Sequence, residues 1–155
     1  MRIQKKKVIL RSKSYQSEKE KMISIRKIIR RYPLSSLLVA FIWVLCLVPW
    51  IPETPLSHVS LIDKWTHLVM YGTLTAVIWW EYLRQHPTLN ARRLLLLAFL
   101  APIAMGGLVE LAQAYCTGGH RSGDWLDFAA NSLGVVLGTV VGLVMIRLIT
   151  PKKSS

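Results

Sequence analysis

The sequence predicts an all-α protein: a four-transmembrane-helix bundle with both termini in the cytoplasm and a basic segment ahead of the first span. Three observations carry that expectation. The 155 residues are 52% hydrophobic and 18% charged, yet the net charge is +12, because the apolar residues lie in long uncharged blocks with the cations between and outside them. Of the 20 Lys and Arg residues, all but Lys64 and Arg121 fall on one set of alternate segments, and basic residues in short loops stay on the cytoplasmic side. Aromatic rings cluster at the ends of the blocks. Trp50, Trp65, Tyr115 and Trp125 lie at the outer ends, and Tyr32, Trp79, Trp80 and Tyr82 at the inner ones, as amphipathic rings do at both interfaces.

The chain reads as three parts: a basic segment 1–31, a membrane domain 32–150 and a cytoplasmic tail 151–155. Segment 1–31 carries a weak helical stripe at Met22, Ile25, Ile28, Ile29 and Tyr32. It reads either as an interfacial helix on anionic lipid or as a cytoplasmic retention signal. Met22 offers an alternative start, which would make residues 1–21 an extension.

An apolar bilayer core about 30 Å thick takes roughly 20 helical residues. The first span is Leu34 to Trp50, without a charged residue. Its basic lead-in is too long for a cleaved signal peptide, and no small-residue cleavage site follows. Leu45 before Cys46 is also wrong for a lipoprotein site. The second span runs from about Trp65 to Leu83, the third from Leu94 to about Tyr115, and the fourth from about Trp125 to Ile149. The pI comes from this topology, since no zinc spacing, helix-turn-helix or RNA-binding motif accompanies it. Cys46 and Cys116 have no metal-ligand spacing and read as small apolar residues.

Ionisable groups inside spans are expensive and tend to be paired or functional. Asp63, His67 and Tyr71 recur at four-residue steps and share one helix face. Glu110 and Gln113 share a face near the outer end of the third span. Arg121, Asp124, Asp127 and Asn131 lead into the fourth, the last three at i, i+3 and i+7. Glu110 is about 24 Å from the inner boundary, and Tyr71 and Asn131 are each about 9 Å below the outer one. The expectation is a single polar cluster beneath the outer surface. Further along, Gly134, Gly138 and Gly142 form a flat strip for close helix packing. Two readings of the cluster stay open. One is a structural lock in which Glu110 pairs with Arg121 or Lys64. The other is a ligand-facing site, favoured because Asp63, Glu110, Asp124 and Asp127 outnumber Lys64 and Arg121.

Asp63-Lys64-x-x-His67-x-x-x-Tyr71, then Glu110-x-x-Gln113, then Arg121-x-x-Asp124-x-x-Asp127-x-x-x-Asn131-x-x-Gly134-x-x-x-Gly138 resembles the VanZ-like family over about residues 34–149. One departure is Gly118-Gly119-His120, where a Pro-Gly turn often precedes the arginine. The resemblance implies a multi-pass protein of the bacterial cytoplasmic membrane, associated with low-level teicoplanin resistance, with no settled biochemical activity. Its implied partners are the lipid bilayer and an envelope lipid, wall precursor or lipoglycopeptide; a homo- or hetero-oligomer would use the glycine strip.

A small intramembrane enzyme acting on an envelope lipid is the alternative. His67 or Glu110 would be its base, Lys64 or Arg121 its phosphate clamp, or His67 with Asp124, Asp127 and Glu110 its divalent-metal site. No nucleophile elbow, HExxH or phosphatase signature supports it, and no cofactor is expected. A transporter is disfavoured, because four helices offer no inverted repeat and no charged midplane residue.

Overall fold

A computed structural model describes residues 22–23, 25–48, 61–118 and 123–149. Expectations for residues 1–21, Trp50, Arg121 and the 151–155 tail lie outside them. Among the described residues the chain is helical, with no strand. It divides into two compact units, 1–33 and 34–155. In the first, the helix Ile25–Arg31 exposes Ile25, Ile28 and Ile29.

The second unit is built from four helices: α1 (Pro33–Leu47), α2 (Ile62–Gln85), α3 (Ala91–Cys116) and α4 (Trp125–Ile149). Of these, α3 and α4 are each long and apolar enough to cross a membrane. A third candidate span is α1 counted together with Ile25–Arg31 as one broken crossing. Helix α2 falls short on apolarity rather than length: its 24 residues include Asp63, Lys64, His67, Glu81 and Arg84.

Three of the four helix starts have a local cause, while α2 begins after Leu61 without a side-chain cap. Pro33 opens α1 at a position where its missing N–H costs nothing. Asn90 caps α3 by accepting the Arg93 N–H at 3.0 Å. Asp124 caps α4: its Oδ1 accepts the Leu126 N–H at 2.9 Å while its carbonyl takes those of Asp127 and Phe128. Residues Leu95–Leu100 of α3 form a π-helical turn, with the Ala101 N–H reaching back to the Leu96 carbonyl. Pro102 follows immediately. It has no N–H for the carbonyl four residues back, and a wider turn absorbs the lost bond.

Helices α2 and α4 lie against each other through glycine. A β-carbon on Gly138 would stand 2.5 Å from the Gly72 carbonyl oxygen, and one on Gly134 would strike the Leu68 carbonyl. Further along, one on Gly142 would enter the Trp79 ring. The glycine strip is therefore filled from within the chain by Leu68, Gly72, Thr75 and Trp79. An apolar cluster of Ile42, Cys46, Tyr71, Leu74, Val109 and Val135 ties α1 and α3 to this pair.

Polarity is arranged in reverse of a water-soluble domain. Among the buried residues are Ser35, His67, Thr75, Glu81, Glu110, Gln113, Asp127 and Asn131, while Leu37, Phe41, Leu96, Leu111, Leu133 and Val140 are exposed. Such a distribution suits an apolar surrounding, where backbone and polar groups must be satisfied internally.

Candidate functional site

The site forms where α2, α3 and the start of α4 meet. Gly106 makes room for it. Its β-carbon position lies 3.2 Å from Asn131 Cβ and 3.4 Å from a Tyr71 ring carbon, so α3 approaches both residues closely.

Asn131 is fully buried and joins the three helices. Its Nδ2 donates to Glu110 Oε1 at 3.3 Å, and its Oδ1 lies 2.9 Å from His67 Nδ1. A carboxylate accepts only, so the amide nitrogen faces Glu110 and the amide oxygen faces the imidazole. Nδ1 of His67 therefore donates to that amide oxygen. Glu110 is held a second time: its Oε2 accepts the Asp124 N–H at 3.1 Å. On its other side, His67 Nε2 lies 4.0 Å from Asp127 Oδ2, too far for a hydrogen bond.

Lys64, half-buried, closes one side of this network. Its ammonium lies 2.6 Å from Asp124 Oδ2 and 2.8 Å from Asp127 Oδ1. That ammonium first, and the Leu126 N–H second, hold the Asp124 carboxyl below the usual carboxylate range. Asp63, one residue before Lys64, is exposed. Together Asp63, His67 and Asp127 each offer one ligand atom within 4.8 Å of the other two, a set that could hold a divalent cation.

Beside this network a groove of about 550 Å³ runs between α3 and α4. Its walls include Ala104, Gly107, Leu108, Leu111, Ala114 and Phe128, and its polar end is formed by Glu110 and Asp124.

Comparison with protein-family models, curated proteins and solved structures finds no match to this chain.

Of the residues singled out from sequence, Lys64, His67, Glu110, Asp124, Asp127 and Asn131 form one network, with Asp63 at its edge. Two others go elsewhere. Tyr71 is buried in the apolar cluster, and its hydroxyl has no hydrogen-bond partner among the described residues. Gln113 turns toward α1 and donates from Nε2 to the Cys46 carbonyl at 3.0 Å. The lock reading pairs Glu110 with Arg121 or Lys64; Lys64 pairs instead with Asp124 and Asp127, and Arg121 lies outside the described residues. Cys46 is buried and Cys116 exposed, and neither forms a disulfide among the described residues.

Sequence reasoning passes over Glu81, at the opposite end of α2. Buried, it accepts the Leu34 N–H at 2.9 Å, the Ser35 N–H at 3.1 Å and the Ser35 hydroxyl at 2.6 Å. It thus supplies the first turn of α1 with the anion that a helix amino terminus favours. A signal was present. Pro33 marks a helix start, Tyr32 before it is no capping residue type, and Glu81 is the acid nearest the inner end of a neighbouring span.

Proposed function

We propose that this chain is a VanZ-like multi-pass protein of the bacterial cytoplasmic membrane that binds an amphiphilic cell-envelope molecule at the outer leaflet. In this reading all four helices cross the bilayer and both termini are cytoplasmic, with Lys64 and Arg121 as the cations left outside. The observation that carries it is the junction of Glu110 and Asp124 with the apolar groove between α3 and α4. A polar end beside an apolar trough suits a ligand with a hydrogen-bonding head and an acyl tail. Envelope lipids, lipid-linked wall precursors and lipoglycopeptides all have that form. Binding such a molecule would alter access of teicoplanin to its surface target and so contribute to antibiotic resistance.

The test compares teicoplanin susceptibility of a null strain carrying the wild-type chain, Glu110→Gln, Arg121→Ala or empty vector. The wild type is expected to raise the inhibitory concentration, and Glu110→Gln to lose most of that rise at equal membrane abundance. If all four strains respond alike, here and to other envelope antibiotics, the reading is wrong.

A further inference from the structure

We propose that Asp63, His67 and Asp127 bind one divalent cation of the Zn²⁺ or Mn²⁺ type. The three ligand atoms lie within 4.8 Å of one another. Two ligands on one ion at about 2.1 Å each stand roughly 3 to 4.2 Å apart. The 4.0 Å between His67 Nε2 and Asp127 Oδ2 is already inside that span, and closing the rest takes less than about 1 Å.

The independent observation is the state of His67. Its side chain is only 3% exposed, and among the described residues Nε2 makes no hydrogen bond. The bond from Nδ1 to Asn131 leaves Nε2 as the ring atom that faces the Asp127 carboxylate. A cation held between Nε2 and Oδ2 would give both atoms a partner. The Asn131 bond is also the arrangement that metal-bound imidazoles use, with the far nitrogen donating to an oxygen that sets ring orientation and tautomer.

The remaining acids are already committed. Asp124 divides its oxygens between Lys64 and the α4 cap, and Glu110 between Asn131 and the Asp124 N–H. Asp127 is split usefully: Oδ1 faces Lys64, and Oδ2 is left for the ion. Asp63, exposed on the first turn of α2, supplies a second carboxylate from the solvent side. One imidazole and two carboxylates favour Zn²⁺ over Mn²⁺, and both over Mg²⁺.

The full chain, purified in detergent, is titrated with Mn²⁺ and followed by electron paramagnetic resonance, with pulsed detection of ¹⁴N coupling from imidazole. One ion per chain is expected, with a nitrogen signal, and Zn²⁺ displacing it. His67→Ala and Asp127→Asn should abolish saturable binding, Asn131→Ala should weaken it roughly tenfold or more, and His86→Ala should leave it unchanged. Asp63→Asn alters an exposed side chain and keeps the fold, so it should weaken binding with no change in melting temperature. Absence of stoichiometric Mn²⁺ binding by the wild type, or wild-type affinity in Asp63→Asn, overturns the site. Neither result depends on the teicoplanin assay.

Discussion

Asp124 performs three tasks with one residue. Its Oδ1 caps α4, its Oδ2 pairs with Lys64, and its backbone N–H holds Glu110. Because Lys64 and the Leu126 N–H depress its pKa, the carboxylate contributes stability above the ordinary aspartate value of about 3.9. That contribution fades as pH falls through the lowered value. Thermal melts of the purified chain and of Asp124→Asn should therefore differ most at neutral pH and keep differing through pH 4. The two curves should converge only in stronger acid; a gap that closes above pH 5 would mean the pair does not form. The partners of Lys64 were not legible in the sequence. Four acids were within reach by composition, and Asp124 is 60 positions away. The choice depends on how α4 enters beside α2. Asn131 was legible as a cluster member, because an amide one turn beyond Asp127 continues the same helix face.

Among the elements, the α2–α4 pair is the most constrained. Four-residue glycine spacing announces close packing but not the partner, because a flat strip has no side-chain pattern to match. Gly72 on α2 is the missing half of the message, and a single glycine is a weak signal. The contacts rank the substitutions. Gly138→Ala and Gly134→Ala meet rigid backbone and should each cost about 1–3 kcal/mol. Gly142→Ala meets the root of the buried Trp79 ring, at Cγ and Cδ2, so its cost should be at least as large. Gly107→Ala meets the Phe128 ring at an ordinary 3.5 Å and should be near neutral. Melting temperatures of the four proteins in one detergent give the order directly. The π-turn of α3 was legible only in part, since Pro102 predicts a disturbed ladder without saying whether the helix kinks or widens.

For the molecule as a whole, the sequence conveyed the helical class and the bounds of the apolar helices well, because long uncharged blocks have few alternative folds. The fourth expected span, Trp125 to Ile149, coincides with α4. The second differs: α2 extends to Ile62 and Gln85, and its polar inward face lowers its apolarity. Periodicity cannot separate a span lined with polar groups from an amphipathic helix lying at an interface. Reporter fusions decide between them. Fusions at both termini should read as cytoplasmic, and a reporter between Gly118 and Gly123 as external. If α2 fails to cross, the amino terminus will lie opposite the carboxyl terminus.

The attachments of α1 carry one more consequence. Glu81 grips the start of this helix through Leu34 and Ser35, and Gln113 grips it near the end through the Cys46 carbonyl. Sliding by one turn, about 5.4 Å, would break both grips together and strand a buried carboxylate. So α1 is pinned like a bolt with a nut at each end, and piston-like motion along its own axis is closed to it. On the proposed ligand-binding reading, a guest would enter by sideways parting of α3 and α4, the helices that line the groove.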